Sequence, residues 1–520
     1  MTETELRLHV PPAALQGVQR ALAAAAGGRL PAALPLRAIY FDTPARDLAE
    51  AGIALRLRQE GRRWVQTLKV GAAHALSRAE HNVAVAVAAG AEPVLDAARH
   101  VGTPAGEALA ALLLKLDSPQ LVPQYRTDIR RRLLVKRARY GTVELALDEG
   151  LLLAPAVEGR DAAVAPVCEL EIELKSGQPR AVIDTAARWI GEHGLWLDSR
   201  SKAERGDRLA RGIERVPAFK APQLRAGRDA TPGDLYAAVF EQGLAQVLRN
   251  ASELAAGLGA PEHVHQLRVA LRRLRSARRL FDGWPGVPAT AAWGEGAATL
   301  FGALGALRDV DVLGSGWGSR IAVELEAAGL PPLALHGATE AGSHDASALL
   351  AAREAALTLL ALVAHGACEI PAVAPTEGPA ATVDAPPAAP TPSAGALAAA
   401  RLAQWHAQVV KGARRFDRID DEARHVLRKR VKRLRYAAEF CAPLFRRKAL
   451  AAFLEPMAEA QERLGEFNDL CVAIEATRAL GAEQPQALYA RGWLVAQRPA
   501  LIASADKALR RLAKAPVFWD

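Results

Sequence analysis

The C-terminal half of this chain contains one pattern twice, 160 residues apart. His265-x-x-Arg268-x-x-x-Arg272-Arg273-x-Arg275 recurs as His425-x-x-Arg428-x-x-x-Lys432-Arg433-x-Arg435. Downstream of each copy, at the same offset, stands a second echo, Leu304-Gly305-x-x-x-Asp309 and Leu464-Gly465-x-x-x-Asp469. Two matches in one register identify a duplicated helical unit.

Helical geometry gives the repeat two faces. At about 100° per residue, His265, Arg268, Arg272, Arg275 and Arg279 form one stripe, and Leu267, Ala270, Leu271, Leu274 and Phe281 another. In the second copy the polar stripe is His425, Arg428, Lys432 and Arg435, and the apolar one is Leu427, Val431, Leu434 and Ala438. The apolar stripes must pack on neighbouring helices. The basic stripe of the first copy has no acid between Arg268 and Arg279. Like charges at i,i+4 weaken an isolated helix by about 0.2–0.5 kcal/mol per pair. Repetition of that cost in both copies points to a polyanion partner.

Composition bounds the rest. A chain of 520 residues makes two or more domains, each with its own core. The net charge of +9 is moderate, so clustering of arginine matters more than the total. Four cysteines, with no CxxC pair and no zinc-type spacing, suit reduced thiols in a cytosolic protein. The N-terminus lacks the basic and apolar regions of a signal peptide. The longest strongly apolar run, 357–364, is too short to cross a bilayer. These observations predict a cytoplasmic location.

Organisation follows from periodicity. An N-terminal domain is expected over 1–210, with strands at 3–10, 37–42, 53–59, 63–70, 78–87, 122–135, 141–149 and 167–175. Helices are expected at 12–26, 93–115 and 178–193. A proline-punctuated linker covers 211–232, and a helical domain covers 233–520. Its repeats run over about 233–365 and 397–515, around a disordered Pro/Ala-rich connector at about 371–395.

The strands carry charge on one face. Glu3, Glu5 and Arg7 share a phase, as do Arg56 and Arg58, Thr67 and Lys69, Arg78 and Glu80, and Glu169, Glu171, Glu173 and Lys175. Acidic strands beside basic ones suit a closed barrel with a charged lumen and outward apolar faces. Carboxylates in an E-x-E pair can share a hard cation such as Mg²⁺ or Mn²⁺, and opposing arginines suit phosphate oxygens. Asp148 fits either the metal cluster or a turn, and Arg132 either the lumen or solvent. Asp309 and Asp469 fit helix starts or partners for the arginines. No Ser/His/Asp or Cys/His constellation and no Walker-type loop is legible.

An ordered set of motifs then resembles a known family. Glu3-x-Glu5-x-Arg7, YFDT at 40–43, LRLR at 55–58, TLK at 67–69, RAE at 78–80, CELEIELKSG at 168–177 and SKAERG at 201–206 resemble the CYTH superfamily of triphosphate tunnel metalloenzymes. The duplicated His/Arg helices resemble the CHAD domain, a conserved-histidine α-helical domain associated with polyphosphate binding. Their order is similar to that of bacterial CYTH–CHAD inorganic triphosphatases. The resemblance implies a multi-domain α+β fold, with an eight-stranded antiparallel β tunnel followed by an all-α domain of two repeated helical bundles.

The resemblance also implies roles. Glu3, Glu5, Glu169 and Glu171 would carry catalysis through Mg²⁺ or Mn²⁺, with Glu173 an alternative metal ligand because ELEIE holds two overlapping pairs. Arg7, Arg37, Arg56, Arg58, Lys69, Arg78, Arg130 and Lys202 would bind the substrate. Position 7 is arginine where the family pattern has lysine, which limits it to binding. His265, Arg268, Arg272, Arg273, Arg275, Arg279, His425, Arg428, Lys432, Arg433 and Arg435 would bind long-chain polyphosphate, although the histidines equally suit packing between the repeats. The implied reaction is metal-dependent hydrolysis of inorganic tripolyphosphate or short polyphosphate. A class IV-type adenylate cyclase, a thiamine triphosphatase and a non-catalytic polyphosphate-binding protein are the alternatives. Nucleic acid is disfavoured, since aromatic residues are only 5% of the chain and offer little stacking surface.

Overall fold

The computed structural model describes the backbone of residues 2–74, 77–88, 93–116, 119–288, 291–333, 341–371, 392–480 and 484–520. Side chains are described within these ranges except at 2–3, 72–74, 77–78, 291–292, 306–315 and 341–345. Most of the connector expected at 371–395 lies outside the described residues.

Eight antiparallel strands build the N-terminal part: β1 (Thr2–His9), β2 (Ala33–Asp42), β3 (Ile53–Glu60), β4 (Arg63–His74), β5 (Ser77–Val85), β6 (Val122–Ala138), β7 (Gly141–Ala154) and β8 (Ala163–Gly177). They run in the order β5-β4-β3-β2-β6-β7-β8-β1, and pairing of β5 with β1 closes the barrel. A two-residue strand, β9 (Trp196–Leu197), adds to β1. All eight expected strands are present, with ends that differ by a few residues. The closure runs over Thr2–Thr4 and Ser77–Ala79, which shortens the open edges that would template edge-to-edge association.

Around β8 the barrel is polar inside and apolar outside, the order that the alternation requires. On β8, Leu170 and Ile172 are fully buried on the outer face, while Glu169 and Glu171 take the opposite phase. Helix α1 (Leu15–Ala25) buries Val18 and Leu22. The short α2 (Asp47–Glu50) and α3 (Pro104–Lys115) cover Leu55 and Leu68 with Leu48, Ala105 and Leu109. Helix α4 (Arg180–His193) covers β1, β7 and β8 with Ala186 and Ile190. Each such leucine or isoleucine contributes about 1.5–3 kcal/mol by leaving water.

The motif SKAERG opens a helix that sequence periodicity missed, α5 (Lys202–Arg211). The Ser201 side chain accepts from the Glu204 amide, and Gly212 ends the helix at φ 66°. This helix packs on the lumen face of the barrel. Leu209 joins Leu36, Ile129, Leu152 and Val167, and Ala210 joins Ala38, Tyr40, Tyr125 and Ala154. Packing there requires glycine at 206, since a Cβ would fall 2.2 Å from the Tyr125 ring. Gly206→Ala is therefore expected to destabilise the protein by about 1–3 kcal/mol. A thermal melt checks this, and an unchanged midpoint would mean that Tyr125 steps aside freely.

The remaining helices are α6 (Pro232–Ala255), α7 (Pro261–Leu280), α8 (Ala291–Ser315), α9 (Trp317–Ala327), α10 (Ala341–Ala351), α11 (Arg353–Ala364), α12 (Ala394–Ala413), α13 (Asp421–Phe440), α14 (Arg447–Ala479) and α15 (Pro485–Ala513). The chain divides into two compact units whose bounds do not follow the sequence division. One unit is Met1–Phe219 with Val247–His263 and Ser347–Glu369; the other is Lys220–Gln246, Val264–Ala346 and Ile370–Asp520. In the first unit, α11 packs on α4 and β9, and Arg208 bonds Glu253 at 2.6 Å.

In the second unit the two motif helices, α7 and α13, bury the apolar stripes read from the sequence. Leu267, Ala270, Leu271, Leu274 and Phe281 are buried, as are Leu427, Val431, Leu434 and Ala438. Asp420 caps α13 by accepting from the Ala423 amide at 2.7 Å. Asp309 and Asp469 lie inside α8 and α14 rather than at helix starts.

Candidate active site

Strand register decides which side chains meet. Glu169, Glu171 and Glu173 pair with Asp148, Ala146 and Glu144 on β7, and with His9, Arg7 and Glu5 on β1. Arg131 on β6 pairs with Asp148. Ala38 and Tyr40 pair with Arg58 and Arg56 on β3, and Arg56 pairs with Thr67 on β4. Lys69 pairs with Glu80 on β5. Paired residues share a face, so all of these point into the lumen.

At the centre, carboxylate oxygens of Asp148, Glu169 and Glu171 lie within 4.8 Å of one another. Asp148 and Glu169 are almost completely buried, and Glu171 is 15% exposed. Three cations balance them. Lys202 Nζ sits 2.7 Å from Asp148 and 2.8 Å from Glu171, and also bonds Glu169. Arg131 grips Asp148 with two bonds, at 2.7 and 2.6 Å, and reaches Glu171 at 2.5 Å. Arg205 bonds Glu169. Burial pushes the Glu171 carboxyl up, yet Lys202 and then Arg131 hold it well below the usual carboxylate range. Burial would lower the Arg7 guanidinium, but Glu5, Glu169, Glu171 and Asp198 raise it instead. Its Nη2 donates to the Ser199 carbonyl at 3.2 Å.

The opposite wall is basic. Arg56 donates to the Tyr40 hydroxyl at 3.0 Å, Arg58 pairs with Glu60, and Lys69 pairs with Glu80 at 2.6 Å. The charge of Lys69 helps depress Glu171, so the two walls face each other across the lumen. Burial and the charges of Arg56 and Arg131 lower the Arg58 pKa, with Glu60 only partly offsetting them. The Nε atoms of Arg56 and Arg58 are buried without a hydrogen-bond partner. Buried donors of this kind normally have acceptors, and here they belong to a cationic wall.

Several expected positions fall elsewhere. Arg37 lies on the outer face, 68% exposed beside Asp128. Arg130 is exposed on the outer face, and Arg131 takes the lumen phase in its place. The reason is the apolar packing of α5, which makes the lumen phase of β2 and β6 locally uncharged: Leu36, Ala38 and Tyr40, and Tyr125, Thr127 and Ile129. Charge alone therefore selects the wrong phase there. Arg132 is also turned outward, bonded to Glu149 at 2.8 Å. Glu173 stays apart from the acidic triad, paired with Lys175 at 2.9 Å, so Glu169 and Glu171 form the E-x-E pair at the centre. Glu5 faces the lumen beside Glu173. The side chains of Glu3 and Arg78 lie outside the described residues, although their backbones are paired. Sequence reading did not select Arg131 or Arg205 and left Asp148 open. For Asp148 the alternation with Glu144 and Ala146 was the available signal.

In the second unit, most of the basic ladder is engaged. Arg268 donates to the Phe301 carbonyl at 3.0 Å, and Arg272 donates to the Tyr436 hydroxyl at 2.9 Å. Arg273 and Arg435 share Glu439 at 2.6 and 2.9 Å, so the missing acid arrives from α13. The duplication holds in space: Arg275 lies over Phe301, and Arg435, one repeat later, bonds the equivalent Gln461. His425 meets Asn468 at 3.1 Å. His265, Arg428 and Lys432 are half-buried. Burial, Arg279 and Arg278 lower Arg275; burial, Arg279 and Arg430 lower Arg433. Arg278, Arg279 and Arg430 thus repel Arg275 and Arg433 within one cationic group.

Family models match the two halves in turn, the CYTH domain over residues 1–206 and the CHAD domain over 238–478. The chain is a CYTH–CHAD protein. Its sequence is 30% identical over 174 residues to an inorganic triphosphatase of Haemophilus influenzae, a match that covers 32% of this chain and 44% of that protein. The chain thus spans less than half the length of this curated relative. A solved CHAD domain from the plant Ricinus communis is 31% identical, covering 58% of this chain and 98% of that one, with a TM-score of 0.45. A Hippeastrum protein, an adenylyl cyclase candidate with a dominant triphosphatase activity, is 20% identical over 41% of this chain and 98% of its own, with a TM-score of 0.25.

Proposed function

We propose that the CYTH domain hydrolyses inorganic tripolyphosphate, or a related short polyphosphate, to pyrophosphate and phosphate in a metal-dependent reaction. The CYTH match and the inorganic triphosphatase relative support triphosphatase-type activity. The observation that carries the substrate class is the lumen itself, a buried triad of carboxylates facing Arg56, Arg58 and Lys69. All-oxygen donors fit Mg²⁺ or Mn²⁺ better than softer metals. Asp148, Glu169 and Glu171 would hold the ion, which when bound supplies a Lewis acid for phosphoryl oxygens. Arg56, Arg58, Lys69 and Arg131 would bind and align the chain and neutralise the charge that develops on the transferred group. The fit is to a linear polyanion, since Tyr40 and Tyr125, stacked at 4.7 Å, are buried under α5 and offer no open face to a base.

The test is a substrate panel with Mg²⁺ or Mn²⁺: tripolyphosphate, thiamine triphosphate, ATP and long polyphosphate. Fastest phosphate release from tripolyphosphate supports the reading. Cyclic AMP from ATP as the main product would replace it with a cyclase.

We propose further that the CHAD domain binds long-chain polyphosphate through its repelling arginine group, whose charge a polyanion would neutralise. Double replacement of Arg275 and Arg433 by alanine is expected to weaken polyphosphate binding several-fold. The slope of log affinity against log salt should become shallower by about one to two, the number of phosphates lost. Titration at several salt concentrations checks this, and an unchanged slope would remove these residues from the binding surface. Among the described residues no helix is long and apolar enough to cross a membrane.

A further inference from the structure

The acidic triad already holds a cation of the protein's own. Lys202 Nζ contacts Asp148, Glu169 and Glu171 at once. Because the three ligand oxygens lie within 4.8 Å of one another, the space between them takes one cation, not two. Charge says the same. Three carboxylates are balanced by Lys202, Arg131 and Arg205, so a divalent ion added without displacement would leave a buried excess of positive charge. The backbone of Lys202 cannot yield. It is the first residue of α5, capped by Ser201 and locked by the packing of Gly206 on Tyr125. Only the side chain can move. An ammonium is a compact charge on a flexible stem, able to change partners without a directional fork.

We propose that Lys202 occupies the metal position in the metal-free protein and gives it up, turning toward the phosphate chain, when a divalent cation takes the triad. This rests on the metal-dependent reading above. Lys202 acts here as a positioning residue with two stations. Two events are then linked: the cation binds the free protein against competition from the ammonium, and a phosphate chain, by accepting that ammonium, makes room for the cation.

The experiment measures Mn²⁺ affinity of the full-length protein, free of any phosphate, by calorimetry and by the electron paramagnetic resonance of free Mn²⁺. Lys202→Met, which keeps length and removes charge, is expected to bind Mn²⁺ about tenfold or more tightly than wild type, within the usual range of coupling between sites. Its melting temperature should rise more on Mn²⁺ addition than that of wild type. Lys202→Arg, which keeps the charge, should show no tightening. Where Lys202→Met proves too unstable to purify, Lys202→Gln carries the same expectation. Equal or weaker Mn²⁺ binding by the uncharged variants overturns the proposal while leaving the metal reading intact. No Mn²⁺ binding by any of the proteins, wild type included, overturns both.

Discussion

Replacing Glu171 by alanine is expected to lower phosphate release from tripolyphosphate by about a hundred- to a thousandfold, the loss typical of removing one electrostatic partner of a transition state. Glu171, like Asp148, is touched by both Lys202 and Arg131, so its loss removes a metal ligand and leaves two buried cations under-neutralised. Steady-state rates at saturating Mg²⁺ and Mn²⁺, with a thermal melt as a control for folding, make the measurement. A variant that folds and retains near wild-type activity would remove Glu171 from the site. The pH dependence follows from sign. Because the folded pKa of Glu171 lies below its unfolded value, its contribution to stability is present above the ordinary carboxylate range. That contribution is lost only as pH falls through the depressed folded value, and the alanine variant should lack this loss.

Arg131→Ala is expected to reduce turnover about a hundredfold or more, whereas Arg130→Ala should stay within about twofold of wild type. The two residues are neighbours of the same type, so the contrast tests strand phase rather than composition. Arg131 bonds Asp148 and Glu171 inside the lumen, while Arg130 faces outward. Side-by-side kinetics decide it, and the reverse order of effects would show that the lumen phase of β6 is misassigned.

Much of this molecule was legible in its sequence, for identifiable reasons. The eight strands reveal themselves because most alternate between a charged lumen face and an apolar face, as β8 does with Glu169 and Glu171 against Leu170 and Ile172. The apolar stripes of α7 and α13 were equally clear, since the same 3.6-residue period recurs in two copies 160 residues apart. Two features were hidden. Helix α5 is short and rich in charge, so it lacks an apolar stripe of ordinary width. Its signals were local instead, Ser201 and Glu204 at its start and Gly212 at its end. Missing it had a second consequence. A lumen assumed to be charged throughout selected Arg37 and Arg130, because the apolar patch that receives Leu209 was not foreseen.

In the CHAD domain, the sequence showed a basic stripe without a neutralising acid, and the fold supplied one. Glu439 answers Arg273 across helices, and Tyr436 answers Arg272. Partners 166 and 164 residues apart in sequence cannot be matched by periodicity. What survives that pairing is narrower than the original ladder, the pair Arg275 and Arg433, each lowered by burial and by the charge of Arg279.

The most direct measurement is phosphorus NMR of tripolyphosphate incubated with the purified protein, with and without Mg²⁺ or Mn²⁺. Metal-dependent conversion to equal amounts of pyrophosphate and phosphate is the expected result. Tripolyphosphate left intact in the presence of either metal would contradict the assignment of the barrel as a triphosphatase.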